Sequence, residues 1–416
     1  MRQKINARLV EEAAERLKTI VRETPLQYNE RLSRKFRARI YFKREDLQAV
    51  RSYKIRGAYN RMAVLTPGER KRGVVCASAG NHAQGVAFSC IRLKIKGFIY
   101  LPKNTPKQKI ARISMVGGKR ISVLLVGDSF DEANEAALAF AKKENKIFIH
   151  PFDDPLVIAG QGTVAKEIFN QLPTPADCLV APVGGGGLIA GIGLYAKNKF
   201  PRLKLIGAEP SGAASMQAAL RAGYPVSLPA VDKFVDGAAV KKIGATSFAL
   251  AKKTVNRIVL VPEGLVCQEM ISLYQNEGII AEPAGALSIA ALEKVKKEIR
   301  GKTVVCIISG GNNDISRYQE VIERSLIYRG LKHYFIINFS QRPGALRRYI
   351  NDALGPHDDI TLFEYIKKNN RETGPALVGI ELAKKTDLKP LLRRMDKIDL
   401  DYEILKKDSA IFSLIV

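Results

Sequence analysis

From about residue 36 to residue 320, short apolar runs alternate with longer amphipathic stretches. Apolar runs of about four to eight residues predict strands buried on both faces, and the longer stretches predict helices. The predicted strands are 38–45, 73–78, 96–102, 120–127, 146–152, 177–183, 204–210 and 303–311, and helices are predicted at 1–17, 129–145 and 283–299. This alternation predicts open parallel sheets covered by helices, with functional loops after the carboxyl ends of the strands.

The pattern changes near residue 330. A strand, a helix, two strands, a helix and a last strand region are predicted at 333–340, 345–354, 359–368, 375–382, 387–397 and 400–416. The order βαββαβ is typical of a small ferredoxin-like module. We therefore expect two domains, at 1–325 and 331–416.

Composition narrows the class of protein. The formal net charge is +26, but the basic residues are spread along the chain among acids, and no nucleic-acid-binding motif accompanies them, so we expect no nucleic-acid partner. No apolar run approaches the roughly 20 residues of a membrane-spanning helix, and the N-terminus lacks a secretory pattern. We expect a cytoplasmic protein without a membrane partner.

Cysteine and histidine are few and scattered. The five cysteines and four histidines show neither Cys-x-x-Cys nor His-x-x-x-His spacing. A disulfide framework and a metal centre built by the protein are therefore not expected.

The most specific motif is a run of four glycines between a predicted strand and a predicted helix. Gly184, Gly185, Gly186 and Gly187, followed by Leu188, allow close backbone approach to a ligand, and the helix start offers N–H groups to a phosphate. Three interpretations remain open from these residues alone. A phosphate site is one, and tight helix–strand packing without a ligand is another. The third is a dinucleotide site, because Gly185-x-Gly187-x-x-Ala190 with a later Glu209 fits that pattern as well.

Three further segments carry unusual residues. Lys54 lies between Tyr53 and an isoleucine, and apolar surroundings favour a neutral, nucleophilic amine. The loop Ser78–Asn81 follows a strand and could hold a carboxylate or a hydroxyl, although Ser78 and Asn81 would also serve as helix N-caps. Ser309 ends a buried strand, where its hydroxyl can bond to the backbone or face a ring nitrogen.

Five segments occur in a distinctive order: RSYKIRGAYN (51–60), SAGNHAQGVAF (78–88), HPFDDPLVIAGQGT (150–163), VGGGGLIAG (183–191) and SGGNND (309–314). Over about residues 20–320 the chain resembles the fold-type-II pyridoxal-phosphate enzymes, which are tryptophan synthase β-like, and particularly the biosynthetic threonine dehydratases. QRPGAL (341–346) resembles part of a single C-terminal ACT-like regulatory domain. The resemblance implies a catalytic domain at 1–325, with residues of about 50–150 forming most of a smaller subdomain.

The resemblance also implies roles for individual residues, with pyridoxal 5'-phosphate as the cofactor. Lys54 would bind the cofactor covalently as a Schiff base and later act as the base at the substrate Cα. Tyr53 would pack near the ring, Asn81 would bond the ring hydroxyl, and Ser309 would bond the pyridine nitrogen. Gly184, Gly185, Gly186, Gly187 and Leu188 would bind the phosphate. Ser78, Ala79, Gly80, Asn81 and His82 would hold the substrate carboxylate.

The implied reaction is β-elimination from L-threonine to 2-oxobutanoate and ammonia, the first step of isoleucine biosynthesis, with L-serine as a side substrate. The alternatives are serine dehydratase, serine racemase and, less favoured, an NAD-binding oxidoreductase. Ala79 argues against racemisation, because racemases of the family have a serine there. Those racemases also bind a divalent metal through an acidic loop. This chain keeps the first acid of that loop, Glu209, but has Ser215 in place of the second, so no divalent metal is expected. Isoleucine or valine is an expected effector, and a homodimer or homotetramer is the expected assembly.

Overall fold

The computed structural model describes residues 5–367, 371–406 and 409–415. The chain forms two compact units, Met1–Asn313 and Asp314–Val416. Within the described residues, no helix is long and apolar enough to cross a membrane.

The strands are β1 Leu26–Tyr28, β2 Arg39–Arg44, β3 Val74–Ala77, β4 Gly97–Leu101, β5 Ile121–Leu125, β6 Ile147–Phe148, β7 Cys178–Pro182, β8 Lys204–Pro210, β9 Arg257–Val261, β10 Thr303–Ile308, β11 Lys332–Ser340, β12 Asp359–Tyr365, β13 Thr373–Glu381 and β14 Asp401–Ile404.

The helices of the first unit are α1 Ala7–Leu17, α2 Glu30–Phe36, α3 Lys54–Ala63, α4 Pro67–Arg72, α5 Asn81–Leu93, α6 Lys107–Gly117, α7 Phe130–Lys143, α8 Pro155–Gln171, α9 Gly187–Lys199, α10 Ser215–Ala222, α11 Ala245–Thr254, α12 Glu263–Glu277, α13 Pro283–Ala290 and α14 Leu292–Ile299. Those of the second unit are α15 Tyr318–Arg329, α16 Ala345–Arg348, α17 Leu388–Lys397 and α18 Ala410–Ile415.

Two parallel sheets form the framework of the first unit. A six-stranded sheet has the order β1-β2-β10-β7-β8-β9 and is parallel except for the edge strand β1. A four-stranded sheet, β5-β4-β3-β6, is parallel throughout. Strands β7 and β10 are buried at every position, which explains why their sequences show no polar alternation. The predicted open parallel-sheet class is confirmed.

Helices cover the six-stranded sheet with an apolar core. Leu179 and Ala181 of β7 pack with Ile189 and Ile192 of α9, and all four side chains are fully buried. The amphipathic helix α1 adds Val10 to the same core, as its periodic pattern predicts. The five cysteines, all within the described residues, are buried and form no disulfide.

The second unit contains one antiparallel sheet with the order β12-β13-β11-β14. Strands β12 and β13 are consecutive in sequence and paired, whereas α17 and the helical segment 345–353 each connect strands that are not neighbours in the sheet. The last five residues of that segment, Tyr349–Ala353, form a π-helical turn. This arrangement confirms the ferredoxin-like order predicted from the sequence.

Four predicted boundaries are wrong. The predicted strand 146–152 is reduced to β6, Ile147–Phe148. Residues 1–4 of the predicted helix 1–17 lie outside the described residues. The last strand region, 400–416, holds only β14, because residues 335–338 of β11 pair with it over four positions. The Ser409 hydroxyl then accepts the Phe412 N–H at 3.2 Å, and this cap starts α18 instead of a strand. Residues 407, 408 and 416 of that prediction lie outside the described residues, as does residue 368 of the predicted strand 359–368.

The predicted helix 283–299 is divided at Ala291 into α13 and α14, where the Lys294 N–H bonds to the Ala291 carbonyl. The predicted strand 303–311 ends at Ile308, and Ser309 begins the loop that follows.

Candidate active site

Three strands end at neighbouring loops in the first unit. The loop after β3 carries Ser78, the loop after β7 carries Gly184, and the loop after β10 begins at Ser309. Because β7 and β10 are parallel neighbours, the last two loops leave the same edge of the sheet. Three of the predicted site residues, Ser78, Gly184 and Ser309, therefore lie in loops that follow strand ends, as is expected for such a fold.

Lys54 begins α3 and is half-buried. Its Nζ donates to the Pro151 carbonyl at 2.8 Å and lies 5.5 Å from the centroid of the Tyr53 ring. Burial lowers the pKa of the Lys54 amine to about 8, although the negative charge of Glu282 opposes that shift. A substantial fraction of the amine is therefore neutral and nucleophilic near neutral pH.

The segment that receives the Lys54 amine also contacts the glycine run. Phe152, next to Pro151, lies against Gly185: a Cβ added to that glycine would be 2.3 Å from the ring. A Cβ added to Gly187 would be 2.7 Å from the Phe152 carbonyl oxygen. Lys54 and the glycine run thus both contact one short segment, residues 151–152.

The glycine run forms a sharp turn between β7 and α9. Gly186, the residue before α9, has φ of +90°, which is a left-handed conformation that favours glycine. Leu188 and the three other glycines are buried or nearly so, and α9 begins at Gly187. The first N–H groups of a helix have no partner within it, so this turn presents N–H donors and the positive end of the helix dipole.

Ser309 lies beside the residues that precede Lys54. The Tyr53 N–H donates to the Ser309 carbonyl at 3.1 Å. The Ser309 side chain is 2% exposed, and its hydroxyl has one long bond of 3.3 Å, to the Ala284 carbonyl. This hydroxyl is available for a stronger partner.

The loop after β3 is half-buried from Ser78 to Asn81, which leaves its backbone partly accessible. The Gly80 N–H donates to the Ser78 hydroxyl at 3.3 Å, and α5 begins at Asn81. Ala79 presents only a methyl group. The backbone N–H groups at this helix start suit a carboxylate.

The His82 side chain points away from this loop. Its Nε2 bonds to the Ile149 carbonyl at 2.9 Å. Burial lowers the pKa of His82 to about 3, and the positive charge of Lys54 adds to the effect. The neutral ring therefore holds α5 against the segment that follows β6.

The structure adds a carboxylate that the sequence analysis missed. Glu282 precedes α13, and its Oε1 accepts from Asn81 Nδ2 at 2.6 Å, while Asn312 Nδ2 donates to Asn81 Oδ1 at 2.7 Å. Burial raises the pKa of Glu282 to about 7, and the negative charge of Asp236 adds to this shift. In the sequence AEPAGA, Glu282 resembles an ordinary acid before a helix. The one sequence signal that could have singled it out is the position of an acid within an apolar run.

The residues present fit pyridoxal phosphate. The site combines a lysine amine whose pKa is lowered, a buried serine hydroxyl with a weak partner, and a glycine turn at a helix start. The amine can react with an aldehyde, the hydroxyl can bond to a ring nitrogen, and the N–H groups of the turn can bind a phosphate.

Glu209 does not fit the dinucleotide or metal interpretations. It is fully buried, and its two carboxylate oxygens accept from the N–H groups of Met216 and Gln217 at 2.6 and 2.9 Å. Burial raises the pKa of Glu209 to about 7, although the hydrogen bonds from Met216 and Gln217 lower it. The Glu209 carboxylate caps the start of α10. Both of its oxygens are therefore already bonded, and these are the atoms that a ribose or a metal ion would need.

Comparison with known proteins agrees with this geometry. The family described as "Pyridoxal-phosphate dependent enzyme" matches residues 17–310, and "C-terminal regulatory domain of Threonine dehydratase" matches residues 323–415. The chain is 53% identical over 412 residues to L-threonine dehydratase biosynthetic IlvA of Bacillus subtilis (strain 168), covering 99% of this chain and 98% of that protein.

Solved structures agree as well. The processed form of threonine deaminase isoform 2 from Solanum lycopersicum has a TM-score of 0.72 and 38% identity, covering 77% of this chain and 96% of that one. Serine racemase from Dictyostelium discoideum has a TM-score of 0.69 and 30% identity, covering 75% and 99%. The fold is therefore shared by dehydratases and racemases, whereas similarity along the whole chain is to the dehydratases. The chain belongs to the pyridoxal-phosphate dependent enzymes and, within them, to the family of the biosynthetic L-threonine dehydratases.

Proposed function

We propose that this chain is a threonine ammonia-lyase that converts L-threonine into 2-oxobutanoate and ammonia. The observation that carries the proposal is that one chain matches both the enzyme family and the dehydratase regulatory domain. The relatives are named biosynthetic, and the proposed role is accordingly the first step of isoleucine biosynthesis. L-serine is the proposed side substrate, because it carries the same β-hydroxyl on a smaller side chain.

Pyridoxal phosphate, when bound, supplies an electron sink that makes the Cα–H of an attached amino acid acidic. Lys54 is the residue proposed to hold the cofactor and then to take the Cα proton on Nζ. Its lowered pKa supports both roles, since each requires a neutral amine near neutral pH. The Pro151 carbonyl orients that amine when it is free.

The remaining residues are proposed to bind and orient. The N–H groups of Gly184, Gly185, Gly186, Gly187 and Leu188 bind the phosphate. Tyr53 lies beside the amine and limits water, and Ser309 offers its hydroxyl to the ring nitrogen. Asn81, fixed by Glu282 and Asn312, aims at the ring hydroxyl.

The loop of Ser78, Ala79, Gly80, Asn81 and His82 is proposed to bind the substrate carboxylate through backbone N–H groups. Ala79 has no group that could return a proton to the opposite face of Cα, and this favours elimination over racemisation. We propose no metal among the catalytic groups, because both oxygens of Glu209 are bonded within the chain.

Two domains, at 1–325 and 331–416, are part of the proposal. The family matches end at residue 310 and begin again at residue 323, which supports this division. The second domain is proposed to bind isoleucine or valine as an effector, and the protein is proposed to form a homodimer or homotetramer. Five buried cysteines that form no disulfide are in line with a cytoplasmic location.

The function is tested by assaying purified holoenzyme with L-threonine, L-serine and L-allothreonine, and measuring the 2-oxo acid formed. We expect the highest kcat/KM with L-threonine and no formation of D-serine from L-serine. Borohydride treatment should fix the cofactor on the protein, and a peptide mass spectrum should locate it on Lys54. Cofactor found on another lysine would refute the assignment of Lys54, and an inert threonine assay would refute the reaction.

A further inference from the structure

A second cavity lies away from the catalytic loops. It has a volume of about 520 Å³ and is bordered by the residues that precede β7, β8 and β10. It is therefore at the amino edge of the six-stranded sheet, whereas the catalytic loops leave the carboxyl edge. Its size is within the range of about 300–1,000 Å³ found for small-molecule sites.

The charged side chains of this cavity are mostly cationic. Lys199, Arg202, Lys204 and Lys302 line it, and Asp177 is its single acid. The Asp177 carboxylate already accepts the Thr303 N–H at 2.8 Å. One of its two oxygens is therefore already bonded to the backbone.

Three of the four cations lack an internal partner. Among the residues that the structure describes, the side chains of Arg202, Lys204 and Lys302 form no ion pair or hydrogen bond. Lys199 has a distant one, with Nζ at 3.8 Å from Glu11 Oε1. Like charges around one concave surface repel each other and create a positive potential, which a bound anion relieves.

The wall that carries Arg202 is held in place before any ligand binds. Lys197, at the end of α9, donates to the carbonyls of Pro201 and Leu203 at 3.4 and 2.5 Å. The Phe200 ring lies 4.2 Å from the Phe169 ring, centroid to centroid. A preformed wall lowers the ordering cost of binding.

The floor of the cavity is apolar. Ala176 and Leu203 are buried there, and the half-buried Phe200 ring borders the same space. Free cations above an apolar floor suit a compact ligand that has several negative charges at one end. Arg and Lys side chains bind phosphate oxygens particularly well, and arginine does so with two parallel bonds.

We propose that this cavity, the amino-edge cavity, binds a small anion that carries several phosphate groups. The ligand is either an inorganic oligophosphate or the phosphate tail of a nucleotide, and the recognised chemistry is the same in both. Arg202, Lys204 and Lys302 are the residues that bind it, and Lys199 adds to the positive potential.

Calorimetric titration of the holoenzyme tests this proposal, since the bound cofactor then fills the catalytic phosphate site. Pyrophosphate and ATP are titrated separately at physiological ionic strength without divalent metal. We expect saturable binding with one ligand per chain. In the triple variant Arg202→Ala, Lys204→Ala, Lys302→Ala, the dissociation constant should rise by about tenfold or more.

A matched variant, Lys142→Ala, Lys143→Ala, Lys253→Ala, removes the same charge from exposed positions elsewhere. Its dissociation constant should change less than about twofold, because distant exposed charges are screened by salt. Equal weakening in both variants, or no saturable binding in the wild type, would overturn the proposal. Tighter binding of ATP than of pyrophosphate identifies the nucleotide, with its base on the apolar floor, and equal binding identifies the phosphate groups alone.

Discussion

Two cationic side chains of helix α3, two residues apart, lie in opposite kinds of surroundings. Arg56 is fully buried and bonds to both oxygens of Glu45 at 2.8 Å and to both oxygens of Glu167 at 2.6 and 2.8 Å. Lys54, at the start of the same helix, has one bond to a neutral carbonyl. Arg56 therefore has two carboxylates as partners, whereas Lys54 has a single uncharged partner.

The pKa values follow this difference. Burial lowers the pKa of Arg56, but Glu45 and Glu167 outweigh burial and raise it above its ordinary value. For Lys54 burial wins, because the negative charge of Glu282 opposes it without a bond to the amine. A buried cation thus becomes a structural anchor where carboxylates surround it and a reactive amine where they do not.

The strongest test of this comparison is Lys54→Ala. We expect the turnover of L-threonine to fall by about 1,000-fold or more, because the proposed base is removed. The free energy of unfolding should stay within about 1 kcal/mol of the wild type, since only one hydrogen bond is lost. Activity assays and urea denaturation of the apoenzymes measure the two effects. Normal turnover in the variant would contradict the proposed role.

The converse change is Arg56→Met. It leaves the fully buried Glu45 and the half-buried Glu167 without their main partner, so the free energy of unfolding should fall by about 3–5 kcal/mol. Arg34→Met is the matched control, because Arg34 forms an exposed ion pair with Glu30 and should contribute less than about 1 kcal/mol. Denaturant titration measures both variants, and equal losses would show that the buried cluster is no anchor.

The glycine turn gives a smaller effect. Gly185→Ala places a methyl group against the Phe152 ring, so that either the ring or the turn has to move. We expect the dissociation constant of pyridoxal phosphate to rise about tenfold, which corresponds to about 1.4 kcal/mol. Gly68→Ala is the control, because a Cβ there meets no atom within 4 Å. Fluorescence titration of the two apoenzymes with cofactor makes the measurement.

The mildest change is Glu282→Gln, which tests the charge next to Lys54. The negative charge of Glu282 raises the pKa of the Lys54 amine, so its removal should lower that pKa below about 8. Cofactor binding requires the neutral amine, so its rate in the apoenzyme should rise with pH up to about 8 in the wild type. In the variant, the plateau should begin at lower pH. A plateau at unchanged or higher pH would contradict the electrostatic account.

Much of the fold was predictable because it depends on local patterns. Strands such as β7 and β10 are continuous apolar runs, and the four consecutive glycines before α9 are typical of a turn and disfavour a strand. The short edge strand β1 and strand β9 were missed. The change to α18 after Ser409 depends on a single cap and on where the pairing with β11 ends.

The site was only partly predictable. The segments containing Lys54, Asn81 and Ser309 were chosen from motifs, and the structure brings them together. Glu282 was missed because its environment depends on a contact with Asn81, 201 positions away in sequence. His82 was placed in the substrate loop, whereas its ring bonds to Ile149 across the four-stranded sheet.

The burial of every cysteine has a practical consequence. Burial raises the pKa of Cys76, Cys90, Cys178 and Cys306, so these thiols stay protonated and react slowly with alkylating reagents. A colorimetric thiol reagent would find almost no target on the native enzyme and five per chain after denaturation. The rate at which colour develops under mild heating therefore reports the opening of the buried strands and helices that carry these cysteines, without a label or an engineered probe.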